Sequence, residues 1–130
     1  MLRSAGAVLA GLVTIFVTHI GTDQIMHDTG VFPPLSQPMY DPALNLLALT
    51  YRCVFSIVGC YVTAALAPRA PFEHATALGI IGTLLSGLGV FVATQADLGP
   101  LWYPLALLVS ALPCAWAGGW LYLHFHRSGQ

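Results

Sequence analysis

The sequence predicts an all-α fold: a membrane-embedded four-helix bundle, up-down-up-down, in a single domain over residues 1–130. Of these residues, 57% are hydrophobic and only 7% are charged, whereas a soluble domain has about 25% charged residues. The chain has four continuous apolar stretches. Each has the length that a helix needs to cross the hydrocarbon core, about 20 residues. Their apolar residues do not alternate with polar ones, which argues against a β-barrel.

The four spans follow one another with short connections. We predict them at residues 5–26, 44–67, 75–96 and 101–123. The first follows Arg3 but has no small-residue cleavage site before His19 and Ile20, so we expect a retained helix and not a signal peptide. Gly99 and Pro100 separate the last two spans. Trp102 and Tyr103 are then expected at the membrane interface.

The loop between the first two spans, residues 27–43, is the longest connection. Proline fixes φ and disfavours helix in the preceding residue, so this segment should be extended and stiff. Its prolines are Pro33, Pro34, Pro38 and Pro42. Apolar side chains such as Phe32 allow two interpretations. The loop covers the outer mouth of the bundle as a lid, or it rests on the lipid headgroups.

The third span is expected to be the main packing helix. Small residues let helix backbones approach closely in lipid, and here they recur at helical spacing. The residues are Gly79, Gly82, Thr83, Ser86 and Gly87. We expect this face to pack within the chain, and its alternative use is contact in a homo-oligomer.

Orientation follows from the arginines, because the chain has no lysine. Arg3, Arg69 and Arg127 fall at the N-terminus, in the 2–3 connection and in the C-terminal tail, whereas the other two connections carry only aspartate. Because positive charge favours the cytoplasmic side, both termini are predicted to be cytoplasmic.

The candidate site is a polar cluster at the outer end of the first two helices. His19, Asp23 and His27 recur every four residues and share about 80° of one helix face. Arg52 lies about 12 Å into the second helix, near the same depth. A charge inside a span costs about 2.5–3.5 kcal/mol, so we predict that Arg52 pairs with Asp23. Asn45, Tyr51 and Ser56 are predicted to support this cluster.

Three interpretations of the cluster stay open. It is a structural ion pair that fixes helix register. Alternatively, it is an outward-facing site for a proton, an ion or a small polar ligand. A metal site is the third interpretation, but His19, Asp23 and His27 extend over about 12 Å of helix, so at most two of them bind one ion. We therefore assign no metal ligand.

Sequence motifs for catalysis are lacking. We find no nucleophile with a base, no phosphate-binding loop and no facing histidine pair for haem, so no catalytic residue or cofactor is predicted. No basic run suggests nucleic acid. The lipid bilayer is the expected partner. We predict an accessory or scaffold subunit, in a homo-oligomer or a larger membrane complex; the alternative is a small transporter or sensor that uses the polar cluster.

Several stretches resemble those of small, uncharacterised four-span membrane proteins of bacteria. They are GVFPP, YR, LAPRAP and GPLWYPLALLVSALPCAWAGG. The resemblance implies a multi-pass protein of the bacterial inner membrane. It implies no activity and no functional residue.

Overall fold

Four long α-helices account for most of the computed structural model, which describes residues 1–128. They are α1 (Leu2–Asp28), α2 (Pro42–Leu66), α3 (Pro71–Ala96) and α4 (Trp102–Arg127). No strand occurs in the described part of the chain, and each helix is long and apolar enough to cross a membrane. The all-α prediction with four such helices is therefore confirmed. Residues 129 and 130 of the predicted domain lie outside the described range.

The helices extend past most of the predicted span limits, because polar residues at their ends continue the helical hydrogen bonding. Residues 27 and 28 belong to α1, and the Thr29 amide still donates to the Ile25 carbonyl at 2.9 Å. At the start of α2, the Asp41 carboxylate caps the helix by accepting from the Ala43 amide at 2.8 Å. The first connection is therefore residues 29–41, shorter than the predicted 27–43.

The helices are arranged around the bundle in the order α1, α2, α4, α3. α2 packs extensively against both α1 and α4, and α3 packs against α4. α1 touches α3 only slightly and does not touch α4. We call the end that holds Met1, residues 67–70 and the last turn of α4 the terminal end, and the end that holds residues 29–41 and 97–101 the loop end.

Close helix packing is concentrated toward the terminal end. A Cβ on Gly11 of α1 would lie 1.8 Å from Thr63 Oγ1 and 2.6 Å from the Gly59 carbonyl oxygen of α2. Thr63 is fully buried, and its hydroxyl donates to the Ala7 carbonyl at 3.1 Å. On the other side of α2, a Cβ on Gly118 would lie 2.5 Å from the Ile57 carbonyl oxygen. Glycine thus allows backbone-to-backbone contact on both sides of α2.

The small residues predicted to pack along α3 divide into two groups. A Cβ on Gly79 would lie 2.5 Å from the Ala115 Cβ, so this position requires glycine. Equivalent atoms on Gly82 and Gly87 would lie 3.9 Å from their nearest α4 neighbours, an ordinary contact. The Thr83 hydroxyl donates to the Gly79 carbonyl at 2.9 Å, within its own helix, and Ser86 with Gly82 lines an internal cavity. Toward the loop end, the small residues of α3 are therefore less tightly packed, and Gly82 and Ser86 face the cavity.

The first connection is attached to the turn between α3 and α4. The Met39 amide donates to the Leu98 carbonyl at 3.0 Å, and the Tyr40 hydroxyl donates to the Asp97 carboxylate. A Cβ on Gly99 would lie 2.5 Å from the Met39 carbonyl oxygen, so the two segments meet backbone to backbone. Phe32, only 4% exposed, anchors the connection to the bundle. Residues 29–41 thus lie over the loop end.

Candidate functional site

The Asp23 carboxylate is the centre of the polar cluster. Tyr51 donates its hydroxyl to Asp23 Oδ1, and Arg52 donates Nη2 to Asp23 Oδ2. The Arg52 and Asp23 side chains retain 26% and 27% exposure, so the salt bridge is mostly shielded. Because Tyr51 and Arg52 are consecutive on α2, both reach the same carboxylate on the antiparallel α1. The structure thus brings together Asp23, Tyr51 and Arg52 as one cluster.

His19 lies beside this cluster but contacts the backbone of α2. Its Nε2 lies 3.1 Å from the Arg52 carbonyl oxygen, so the tautomer protonated at Nε2 donates this hydrogen bond. The ring also packs near Phe55, with centroids 6.3 Å apart. His19 therefore ties α1 to the α2 backbone one helical turn from Asp23.

His27 organises the first connection instead of joining the cluster. Its Nδ1 donates to the Pro33 carbonyl at 2.7 Å, and its ring packs edge-on against Phe32 with centroids 5.5 Å apart. The Phe32 ring in turn stacks on Tyr51 at 6.4 Å. Within residues 1–128, no group of three His, Cys, Asp or Glu side chains is arranged to hold a metal ion. His27 thus links the loop to the cluster through Phe32.

The supporting residues Asn45 and Ser56 have separate roles. Asn45 is 2% exposed, and its Nδ2 donates to the carbonyls of Met39 at 3.0 Å and Asp41 at 2.9 Å. It therefore holds the end of the first connection on α2. Ser56 lies one turn beyond Arg52 and lines the internal cavity.

The internal cavity occupies the loop half of the bundle, beside the cluster, and has a volume of about 460 Å³. Most of its wall is apolar. Its polar side chains are His19, Asn45, Arg52, Ser56, Ser86, Tyr103 and Ser110. Arg52 is the one charged residue in the wall, since Asp23 does not line the cavity. The arrangement suits a ligand that is mainly apolar and has one polar group.

Tyr103 and the cavity itself are what sequence reasoning missed. Tyr103 was expected at the membrane interface, but it lies in the cavity wall together with Leu107, Ser110 and Ala111. These positions recur at i, i+4, i+7 and i+8, which is the signature of one inward face of a helix. That signal is present in the sequence. It does not reveal that the face meets an open space.

The fold and site define the class of the molecule: an all-α chain of four helices able to cross a membrane, with a cavity beside an Asp–Tyr–Arg cluster. No protein-family model, curated protein or solved structure matches the chain.

Proposed function

We propose that this chain is a multi-pass protein of the bacterial inner membrane that binds a small ligand in its internal cavity, as a small transporter or sensor. The cavity, with Arg52 and His19 in its wall, carries the proposal. Small-molecule sites typically enclose about 300–1,000 Å³, with mostly apolar walls and a few convergent polar groups. A cavity of about 460 Å³ with seven polar side chains fits that description.

The distribution of charge supports a cavity in the periplasmic half of the membrane. Arg3 and Arg69 line one shallow depression at the terminal end, and Arg127 closes α4 at the same end. The charged side chains at the loop end, Asp28, Asp41 and Asp97, are all acidic. Because arginine favours the cytoplasmic side, the terminal end is cytoplasmic in this proposal and the cavity lies in the periplasmic half.

The cavity also supports a binding role for the polar cluster over a purely structural one. A purely structural ion pair requires only that Asp23 and Arg52 satisfy each other. Here Arg52 also lines a space large enough for a ligand, a feature that register alone does not need. For this reason we favour binding over the accessory or scaffold role. A homo-oligomer, in which a pathway runs between protomers, is part of the transporter version of the proposal.

Filling the cavity tests the proposal. Gly82 lines the cavity, and a Cβ there meets only Ala111, at 3.9 Å, so Gly82→Leu adds a side chain to the open space without a backbone clash. Gly21→Leu is the matched control, because a Cβ on Gly21 meets nothing within 4 Å and Gly21 does not line the cavity. The three proteins are purified in nanodiscs, and organic extracts are compared by mass spectrometry.

We expect a small molecule to co-purify with the wild type and with Gly21→Leu, and to be depleted from Gly82→Leu. Equal extracts from all three proteins would contradict binding in the cavity and would leave the accessory role as the better proposal. The mass of each protein in nanodiscs, measured in the same preparations, reports the oligomeric state.

A further inference from the structure

We infer that the ligand is a single-chain amphiphile with an acidic head, which enters from the bilayer through the gap between α1 and α3. This inference rests on the proposed function, since it names the ligand of the same cavity. Three features of the cavity carry it: unused hydrogen-bond donors near the loop end, an apolar lower part, and an opening at the side.

Donors for an acidic head lie near the loop end. Arg52 uses Nη2 for Asp23, whereas its Nη1 forms no hydrogen bond within residues 1–128. A guanidinium has five N–H donors, so capacity for an acceptor remains. The hydroxyls of Ser56 and Tyr103 face the cavity and form no hydrogen bond within residues 1–128, whereas the Ser110 hydroxyl donates to the Leu107 carbonyl in its own helix.

The charge of the wall favours an acid over a base. Arg52 belongs to the wall, whereas its partner Asp23 lies behind it. A ligand in the cavity thus meets the positive member of the pair first. Arginine also matches the geometry of carboxylate and phosphate groups, which accept two parallel hydrogen bonds.

An alkyl chain fits the lower part of the cavity. From the level of Arg52 the wall continues along α2 to Cys60, eight residues or about 12 Å further. The opposite walls at this depth are apolar, with Leu12, Ile15 and Leu78. At about 30 Å³ per water molecule, the whole cavity has the volume of about fifteen waters. This volume suits one alkyl chain and is small for a lipid with two alkyl chains.

The cavity is covered at the loop end, so its entrance lies at the side. Met39 and Gly99, whose segments meet backbone to backbone, lie in its wall at the loop end. The wall residues Phe16 of α1 and Leu85 of α3 keep 46% and 42% exposure. Of the helix pairs that touch, α1 and α3 make the least contact, which puts the entrance between these two helices.

Protection of Cys53 from alkylation tests the ligand class. Cys53 lines the cavity, so a variant with Cys60→Ala and Cys114→Ala leaves one reporter thiol there. In nanodiscs, dodecanoate and dodecyl phosphate at ten times their Kd should slow alkylation by N-ethylmaleimide about elevenfold, because about one site in eleven stays free. Dodecyltrimethylammonium, with the same chain and a positive head, should not protect.

A second variant tests the head group without disturbing the Asp23 salt bridge. Tyr103→Phe removes one donor from the cavity and should raise the dodecanoate concentration needed for protection about tenfold, the effect of one hydrogen bond to a charged group. Tyr61→Phe is the control, since Tyr61 packs on Tyr122 outside the cavity wall. Equal protection by the cationic amphiphile, or no effect of Tyr103→Phe, overturns the acidic head.

The access route has its own measurement. Two methanethiosulfonates, one with an apolar alkyl group and one with a sulfonate group, are compared on Cys53, with rates normalised to a free thiol in water. Access through hydrocarbon should favour the apolar reagent about a hundredfold, the equivalent of the cost of a charge in the bilayer. Equal normalised rates would show access from water and would overturn the lateral route.

These results separate the two proposals. If Gly82→Leu depletes a co-purified compound but neither acidic amphiphile protects Cys53, the binding function stands and the ligand class falls. If Gly82→Leu changes neither the co-purified compounds nor the protection of Cys53, both proposals fall.

Discussion

The Asp23 cluster makes a quantitative prediction about helix coupling. Asp23→Leu removes the acceptor of two hydrogen bonds and leaves Arg52 without a counter-charge. Arg52→Leu removes one of those bonds and leaves Asp23 with Tyr51. Breaking a fully buried pair costs about 3–5 kcal/mol, and the quarter exposure of both side chains places this pair near the lower limit. We therefore expect about 3 kcal/mol for Asp23→Leu and about 2 kcal/mol for Arg52→Leu.

The double variant should recover much of the loss, because replacing both charges by apolar groups leaves no uncompensated ion. Residues in direct contact show coupling energies of about 0.5–3 kcal/mol, and we expect a value in the upper half of that range. The assay is reversible unfolding in mixed micelles, followed by far-UV circular dichroism, for the wild type, both single variants and the double variant. Losses that add to within about 0.5 kcal/mol would refute the coupling, since independent sites behave in this way.

Two further predictions concern packing and pH. Gly11→Ala should destabilise the protein by about 1–3 kcal/mol in the same unfolding assay, because the new Cβ meets Thr63 and a backbone carbonyl. Gly21→Ala, where the new Cβ lies in open space, should stabilise the protein by about 0.5–1 kcal/mol. Equal effects of the two variants would contradict the close α1–α2 contact. The hydrogen bond to Asp97 raises the pKa of the Tyr40 hydroxyl in the folded protein. The contribution of this hydrogen bond to stability is therefore fully present below the usual tyrosine pKa of about 10. It is lost as the pH rises through the higher pKa of the folded state. The phenol signal that Tyr40→Phe removes from an ultraviolet pH titration should lie above the ordinary tyrosine range, and Asp97→Asn should move that signal back toward a pKa of about 10. A Tyr40 signal that Asp97→Asn leaves in place would show that this contact does not form.

Part of the candidate site follows from the sequence because helical geometry is regular. A rise of 1.5 Å per residue gives the depth of every side chain along a straight helix, so antiparallel helices joined by one connection can be matched level by level. That reasoning predicted a pair of Arg52 with Asp23, and the two residues form a salt bridge in the structure. It also predicted His27 within the same cluster, but His27 instead donates to Pro33. The connection folds back over the helix end, and helix periodicity carries no information about such a path.

The role of Tyr51 shows the same limit. The sequence predicts Tyr51 as a supporting residue beside Arg52, and consecutive residues on a helix point about 100° apart. Both hydroxyl and guanidinium nevertheless reach Asp23, because long side chains on neighbouring positions converge on a carboxylate that lies between their directions. Side-chain reach of this kind depends on where the opposite helix lies, which only the packed bundle defines.

By itself, the sequence determined the helical class of the protein and the number of its helices. Continuous apolar stretches of span length and a shortage of charge are local properties, and local properties persist in any packing of the chain. The tertiary structure decided the order of the helices, the place of the tight contacts and the existence of the cavity. Gly11 and Gly59 bring α1 close to α2 near the terminal end, while α1 makes only limited contact with α3. Small residues permit helices to approach closely wherever they occur in the sequence. The complementary surface of a neighbouring helix determines at which of these residues a close contact forms.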